Sequence, residues 1–421
     1  MAGDADSDSL RIPNVPAPSE KRLALRVSAA AERALRGGHP WLYAGAIEQQ
    51  SHEGQPGDLG VVFDRKRRFL AIGLYDPLSP IRLRVLQQGT PAPIDGDWFA
   101  GRLAAAAALR APLQQDPHTT GYRLVHGEND GLPGLVVDRY DRTYVVKLYT
   151  TAWVPHLRDL LTALQEQVAA ERLVLRLSRD VAAQPSYLYG LRPGEIVLGP
   201  ALRGPVSFAE NGLQFAADVV AGQKTGFFFD HRDNRARVER LAAGQHVLNL
   251  FAYTGAFSLY AARGGAASVV SADLSQPALA AALHNFSLNQ DDARVAAVRH
   301  DVLVGDAFQT LKTLRGNRSR FDLVIVDPPT FAHNQAEVPR ALSAYRRLVH
   351  GALEVLQPGG ILVIASCTAR IGGDQFYEMV HEAAAAAGRP LQELERTGHP
   401  LDHPVTFPEG AYLKCLYALA P

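Results

Sequence analysis

Between Val247 and Ala365 the chain alternates short apolar runs with helix-forming segments, and this alternation restricts the fold more than any other feature. The apolar runs predict strands at 247–251, 268–272, 321–326 and 361–365. Helix signals lie between them, such as Ser275 with Pro277 at the start of one segment. Strands that alternate with helices form a parallel sheet covered by helices on both faces. The sequence therefore predicts an α/β fold with a Rossmann-like, doubly wound sheet over residues 211–421.

The first half of the chain has shorter and more varied patterns, which predict two smaller domains. Alternating runs at 25–27, 60–63, 69–74 and 81–86 are typical of a β-rich domain, expected over residues 20–92. Strands at 135–138, 144–148 and 173–177, with helices at 99–109 and 156–168, give a β-β-α-β order. This order predicts a small α/β middle domain over residues 93–210. Residues 1–19 repeat Asp, Ser and Pro without apolar periodicity and predict a disordered leader.

Composition excludes several classes of protein. Hydrophobic residues make up 47% and charged residues 20%, as in globular domains rather than disordered chains. No run approaches the ~20 apolar residues of a membrane span, and the polar, acidic N-terminal segment is unlike a secretory signal. The chain has two cysteines, too few for a disulfide framework, which indicates a reducing, cytoplasmic location. Its 43 basic and 43 acidic residues cancel, so charge alone does not indicate a nucleic-acid partner.

Acidic and thiol side chains follow the predicted strands of the C-terminal half. In a doubly wound sheet, ligands bind beyond the carboxyl ends of the strands. Asp273, Asp306, Asp327 and Cys367 occupy such positions. Asp273 and Asp306 could each simply cap a helix, but together they favour a nucleoside site. The loop after the first strand has one glycine, Gly255, so the glycine-rich pyrophosphate motif is absent. This pattern favours S-adenosylmethionine over a nicotinamide dinucleotide.

Two prolines follow Asp327, and they give its strand end a distinctive shape. Pro328 and Pro329 lack N–H donors and fix the backbone, so they cannot extend the sheet. They present carbonyl groups and a rigid wall, which suits a planar base drawn out of its stack. The alternative is an ordinary exit from strand to loop.

Cys367 has two possible roles. A cysteine at the end of a buried strand is most simply an inert core thiol. A functional thiol is needed if the reaction methylates C5 of a pyrimidine, because that carbon becomes nucleophilic only after a thiolate adds at C6. Such a thiol must ionise, helped by a nearby cation or a helix end. The other cysteine, Cys415, lies in an alternating strand pattern near the C-terminus and is expected to be structural.

Long motifs in all three predicted domains carry a family resemblance. The chain resembles the bacterial 23S rRNA 5-methylcytosine methyltransferases of the large-subunit type, which combine a PUA domain with a class I methyltransferase domain. The resemblance runs from about Leu23 to Leu419. The motifs that carry it are residues 38–46, 122–134, 222–235, 248–255 and 403–410.

The resemblance implies roles for individual residues. Cys367, in Ser366-Cys367-Thr368, matches the position of the family's nucleophile, and Asp327 would hydrogen-bond the cytosine edge. No metal is implied. His231 stands where the family more often has Gln. The cofactor pocket would be lined by Arg232, Phe251, Tyr253, Thr254, Gly255, Asp273, Asp306, Ala307, Asp327 and Pro328, with Arg232 at the methionine end.

The resemblance also implies partners, and the residues leave alternatives open. The PUA-like domain would help to hold structured RNA, either 23S rRNA or a large-subunit assembly intermediate, and relatives suggest a homodimer. One alternative is methylation of another RNA position without a covalent adduct. A second is a non-catalytic RNA-binding assembly factor with a vestigial cofactor fold, which the intact set of acids at the strand ends disfavours.

Overall fold

A computed structural model describes residues 9–421 of the chain. Its contacts divide the chain into two compact units. The first holds the chain up to Gly212 together with residues 217–229 and 401–407, and the second holds residues 213–216, 230–400 and 408–421. Each unit has hydrophobic core clusters of its own. Within the described part of the chain, no helix combines the length and the apolar character that a membrane span requires.

The first unit begins with a six-stranded sheet of order β2-β6-β5-β4-β1-β3. Burial alternates along its first strand, where Leu23, Leu25 and Val27 face the core and the residues between them face solvent. β1 pairs in parallel with β4, and the other pairs are antiparallel. The elements are β1 (Leu23–Val27), α1 (Ala29–Arg36), β2 (Trp41–Tyr43), β3 (Ile47–Gln50), β4 (Leu59–Phe63), β5 (Phe69–Tyr75) and β6 (Ile81–Gln88).

The first unit continues with a five-stranded sheet of order β11-β10-β9-β8-β7. The elements are α2 (Gly96–Leu109), α3 (Ala111–Gln115), β7 (Gly121–His126), β8 (Leu135–Tyr140), β9 (Thr143–Leu148), α4 (Leu157–Gln167), β10 (Arg172–Leu177), α5 (Arg179–Ala182), β11 (Glu195–Leu198) and β12 (Val206–Glu210). The predicted β-β-α-β order lacks β7 and β11. β7 is buried throughout although it contains Arg123 and His126, so no apolar run marks it. β11 is a short strand at the edge of the sheet.

The predicted disordered leader is wrong for its described part. Leu10, Ile12 and Val15 pack against the core of the first unit. The backbone N–H of Arg11 donates to Val197 of β11 at 2.8 Å. Three apolar side chains among prolines are too few for a periodic pattern, but they are enough to fix the segment against a core. Residues 1–8 of the predicted leader lie outside the described residues.

The second unit contains a seven-stranded sheet of order β16-β15-β14-β17-β18-β20-β19. The elements are β13 (Leu213–Ala217), α6 (Arg232–Leu241), β14 (His246–Leu250), α7 (Ala256–Arg263), β15 (Ser268–Asp273), α8 (Gln276–Ser287), α9 (Ala293–Ala297), β16 (Arg299–Val304), α10 (Ala307–Gly316), β17 (Phe321–Val326), α11 (Val338–Val355), β18 (Leu356–Cys367), α12 (Gly373–Ala386), β19 (Gln392–Thr397) and β20 (Leu413–Ala420). The five strands β14 to β18 pair in parallel, and β20 is antiparallel to both of its neighbours. The predicted doubly wound sheet is confirmed. Its strand order reverses between β14 and β17, which is where such sheets bind ligands.

A bulge at the start of β18 sets the pairing of the two central strands. Phe321 pairs with Leu356, but Leu323 pairs with Ile361, so Pro358, Gly359 and Gly360 lie within the strand as extra residues. Gly359 has φ of 74°, a backbone conformation that glycine adopts without a Cβ clash. Beyond the bulge the pairing is regular up to Val326 with Ile364.

A fully buried ion pair organises the polar interior of the first unit. The side chains of Arg110 and Asp130 are both 0% exposed, and their shortest contact is 2.7 Å. The guanidinium of Arg110 also donates to the backbone carbonyls of Ala106, Arg123 and Asp402. All five N–H donors of the guanidinium therefore have acceptors.

Replacement of Arg110 by Met should destabilise the first unit strongly, because it leaves the Asp130 carboxylate buried without its partner. We expect the free energy of unfolding to fall by about 3–5 kcal/mol. The matched control is Arg142→Met, since Arg142 pairs with Glu171 on the surface and should cost less than about 1 kcal/mol. Urea denaturation followed by tryptophan fluorescence measures both. Equal effects of the two substitutions would contradict this account of the buried pair.

Candidate active site

The loop after β14 has an unusual backbone conformation. Phe251 and Tyr253 have φ of 58° and 48°, in the left-handed region that non-glycine residues rarely adopt. Gly255 has φ of 74°, and a Cβ at this position would lie 2.7 Å from the Cβ of Ala282. Thr254 has a buried hydroxyl with no hydrogen-bond partner within residues 9–421. Backbone strain of this kind occurs at binding sites, where the surrounding structure holds it in place.

Asp273 joins two loops at the carboxyl edge of the sheet. Its Oδ2 accepts the backbone N–H of Tyr253 at 2.8 Å, and its Oδ1 accepts that of Ser275 at 2.8 Å. Ser275, not Asp273, is the N-cap of α8, so the simple capping alternative for Asp273 is wrong. Each carboxylate oxygen keeps acceptor capacity for a further hydrogen bond.

Asp306 caps a helix, which is the simpler of its two expected roles. Its Oδ1 accepts the N–H groups of Phe308 and Gln309 at the start of α10, at 3.0 and 3.2 Å. The next residue, Ala307, is buried as the first residue of that helix. The backbone N–H of Gly305 donates to the carbonyl of Asp273 at 2.9 Å, so the ends of β15 and β16 lie together.

Two further predicted pocket residues are buried. Arg232 begins α6 and is 2% exposed, so it is not a surface arginine. Pro328 is buried, whereas Pro329 beside it is exposed.

Cys367 lies beside an imidazole and a carboxylate. Its Sγ is 3.6 Å from His231 Nε2 and 3.8 Å from Asp327 Oδ1. His231 Nε2 is in turn 3.3 Å from Asp327 Oδ2. Ring nitrogen, carboxylate oxygen and sulfur all lie within 4.8 Å of one another. The thiol is partly exposed, so an inert core cysteine does not describe it.

Sequence reasoning missed the role of His231 in this group. Its ring is 1% exposed, packs edge-on against Phe257 with centroids 5.4 Å apart, and is 3.1 Å from the amide nitrogen of Asn234. His231 and Cys367 are 136 positions apart in the sequence, so their contact could not be predicted from it.

Lys414 is the second residue that sequence reasoning missed. A nearby cation or a helix end was expected to help Cys367 ionise, but no sequence pattern indicated which residue. Lys414 lies on β20, one position from the partner of Cys367 in the β18–β20 pairing. Its ammonium donates to the backbone carbonyls of Thr368 and Ile371. Burial lowers the pKa of Lys414 to about 8, and the charge of the Cys367 thiolate opposes this shift.

The other cysteine has the opposite environment. Cys415 is fully buried on β20, and burial raises the pKa of its thiol to about 12. This agrees with the expected structural role, because a thiol that stays protonated is a poor nucleophile.

The two cysteines should therefore differ in reactivity with iodoacetamide. We expect alkylation of Cys367 in the folded protein at mildly alkaline pH and no alkylation of Cys415, whose thiolate fraction there is negligible. Peptide mass spectrometry of the digested protein measures each site separately. Unfolding in urea should make both sites reactive, which serves as the control. Alkylation of Cys415 at the same rate as Cys367 in the folded chain would contradict this description.

Comparison with known proteins identifies the family. A profile described as S-adenosylmethionine-dependent methyltransferase matches residues 122–418, and a PUA-like domain profile matches residues 25–88. A Deinococcus radiodurans protein named ribosomal RNA large subunit methyltransferase is 48% identical, covering 96% of this chain and 99% of that protein. A Shewanella denitrificans protein named ribosomal RNA large subunit methyltransferase I is 37% identical, covering 94% of this chain and 99% of that protein.

Solved structures show the same fold. A Streptococcus mutans protein described as a SAM-dependent methyltransferase has a TM-score of 0.80 at 23% identity, covering 94% of this chain and all of that one. A methyltransferase complexed with SAH has the same TM-score and identity and covers 95% of this chain. The chain is an S-adenosylmethionine-dependent methyltransferase with a PUA-like domain, and it belongs to the family whose members are named ribosomal RNA large subunit methyltransferases.

Proposed function

We propose that this enzyme forms 5-methylcytosine in 23S rRNA through a covalent adduct between Cys367 and C6 of the target cytosine. The observation that supports the proposal is the position of a partly exposed thiol beside Asp327 in a methyltransferase fold. Methyl transfer to an exocyclic nitrogen or a ribose oxygen needs no thiol. A cysteine placed among polar and charged groups therefore favours the carbon acceptor.

The residues at the sheet edge suit S-adenosylmethionine, which carries a ribose but no phosphate. Each oxygen of Asp273 can accept one ribose hydroxyl beside the backbone N–H that it already accepts. A bound ligand can also complete the hydrogen bond of the buried Thr254 hydroxyl. We assign the pocket to the predicted residues Arg232, Phe251, Tyr253, Thr254, Gly255, Asp273, Asp306, Ala307, Asp327 and Pro328, with Arg232 toward the carboxylate end of the methionine part.

The position of Cys367 suits it to act as the nucleophile. Its thiolate adds to C6 of cytosine, and the electron pair of the C5–C6 double bond makes C5 nucleophilic. S-adenosylmethionine, when bound, supplies an electrophilic methyl group. A base then removes the proton from C5, and the pair of electrons from that bond restores the double bond as the Cys367 thiolate leaves. The enzyme is thus regenerated with its thiolate free.

Asp327 and Pro328 would hold the base in place. Asp327 is 22% exposed, so its carboxylate can reach a ligand as well as Cys367. The two prolines limit the loop to a rigid shape. A cytosine drawn out of its stack would meet the carboxylate with its hydrogen-bonding edge and the prolines with its face.

A cationic site on the five-stranded sheet supports an RNA substrate. Lys147 lies over the exposed ring of Tyr149, with its ammonium 5.1 Å from the ring centroid. Burial and the nearby charge of Arg176 lower the pKa of Lys147 to about 8. An RNA phosphate would stabilise its charged form, and the tyrosine ring offers a surface for base stacking. We accordingly propose that the PUA-like and middle domains (residues 20–92 and 93–210) hold rRNA for the catalytic domain (residues 211–421), in the cytoplasm.

Cys367→Ala should abolish methylation of 23S rRNA. Cys415→Ala should retain it, because the Cys415 side chain is fully buried and cannot reach a substrate. With RNA that contains 5-fluorocytosine, the wild-type enzyme should form an adduct that survives denaturing electrophoresis, because fluorine cannot leave C5 as a proton does. The adduct should map to Cys367 by mass spectrometry. If Cys367→Ala methylates RNA normally, the acceptor is another RNA position. If the wild-type protein binds RNA but transfers no methyl group, the assembly-factor alternative is supported.

Asp273→Asn should weaken S-adenosylmethionine binding, because the amide provides one acceptor oxygen where the carboxylate provides two. We expect a loss of affinity of roughly tenfold or more, as for a hydrogen bond to a charged group. Titration calorimetry measures it directly. Asp322→Asn is a matched control, since Asp322 accepts the N–H of His246 and has no proposed contact with the cofactor. Unchanged affinity in Asp273→Asn would contradict the proposed ribose contact.

A further inference from the structure

We propose that His231 is a fixed hydrogen-bond donor that stabilises the thiolate of Cys367. The inference deepens the proposed function, on which it rests for the identity of the nucleophile. Its basis is the set of hydrogen bonds around the imidazole of His231.

The neighbours of Asn234 determine which end of its amide faces His231. The Oδ1 of Asn234 accepts the hydroxyl of Thr397 at 2.6 Å and lies 3.2 Å from the hydroxyl of Tyr417. The Tyr417 hydroxyl also donates to the backbone carbonyl of Asn234 at 3.1 Å. The hydroxyl of Thr397 therefore donates to the amide oxygen, and the amide nitrogen points to the imidazole.

The amide nitrogen in turn fixes the tautomer of His231. Asn234 Nδ2 is 3.1 Å from Nδ1 of the imidazole. Because an amide nitrogen only donates, Nδ1 must be the acceptor, and the neutral ring then carries its proton on Nε2. Nε2 is the atom hydrogen-bonded to Cys367 Sγ at 3.6 Å. His231 thus offers a donor to the sulfur without any change of protonation.

A donor at this position favours the ionised thiol. The S–H bond of Cys367 breaks and its proton passes to solvent water, to which the partly exposed residue has access. The negative charge then rests on the sulfur, 3.6 Å from the Nε2–H of His231. Hydrogen bonds to an anion are stronger than those to its neutral form, so the donor lowers the free energy of the thiolate.

Other groups near the sulfur must be considered in its titration. Lys414 on β20 adds a positive charge whose interaction with Cys367 favours the thiolate. Tyr345 on α11 donates to Ser366 at 3.0 Å, and burial raises the pKa of Tyr345 above its usual range, so it stays neutral. Asp327 opposes the thiolate when it is itself ionised. The contact of His231 differs from these, because it is a hydrogen bond from one ring nitrogen whose tautomer is fixed.

The test compares two substitutions of His231 in the full chain. His231→Leu removes the donor. His231→Gln keeps an amide N–H donor but has no group that could accept and carry a proton. His350→Gln is the control, because His350 is exposed and pairs with Glu354. The rate of Cys367 alkylation by iodoacetamide is measured against pH in the presence of EDTA, with no RNA or cofactor.

Each variant has a different expected alkylation profile. His231→Leu should move the midpoint of the alkylation profile up by about one pH unit, equivalent to about tenfold less thiolate at a given pH. His231→Gln should restore most of the shift, and His350→Gln should match the wild type. A wild-type profile in His231→Leu would overturn the proposal. A profile of His231→Gln as shifted as that of His231→Leu would show that an N–H donor at this position is not the cause, which would also overturn it.

The result is independent of the reaction itself. If the alkylation profiles shift as expected but Cys367→Ala still methylates RNA, the hydrogen bond is real and the proposed function is wrong. If Cys367 is essential for methylation but the profiles do not shift, the proposed function stands and the role of His231 is refuted.

Discussion

The pairing of β17 with β18 is the constraint on which the site depends. Asp327 directly follows β17, and Cys367 is the last residue of β18. The regular pairing of Val326 with Ile364 brings the two side chains within 3.8 Å of each other. A shift of one residue would turn the side chains of β18 to the opposite face. The bulge at Gly359 places the extra residues of β18 at the far end of the strand. The chemistry therefore depends on a backbone feature at the opposite end of the strand from the thiol.

The environment of the thiol comes from separate parts of the second unit. His231 precedes α6, Asp327 follows β17, and Lys414 lies on β20. Each has a constraint of its own: Asn234 orients the imidazole, the prolines fix the loop of Asp327, and two carbonyls hold the ammonium of Lys414. An arrangement fixed from several directions needs little reorganisation when negative charge develops on the sulfur, which is the property that makes electrostatic stabilisation effective.

Sequence patterns predicted the catalytic fold well, since buried parallel strands are continuous apolar runs. The strand Phe321–Val326 has the predicted bounds. β7 was missed because buried polar residues interrupt its pattern. Strand ends also indicated Asp273 and Cys367, but they could not indicate His231 or Lys414. Those contacts arise from the packing of segments far apart in sequence, and neither residue type marks a strand end.

The central claim is that the target is C5 of a cytosine activated by Cys367, and release of the C5 hydrogen tests it most directly. Ribosomal RNA carrying tritium at C5 of cytosine should release tritium to water in step with methyl transfer, because C5 methylation replaces that hydrogen. Release should require both the cofactor and Cys367. Methyl transfer without tritium release would place the methyl group elsewhere on the RNA and contradict the account.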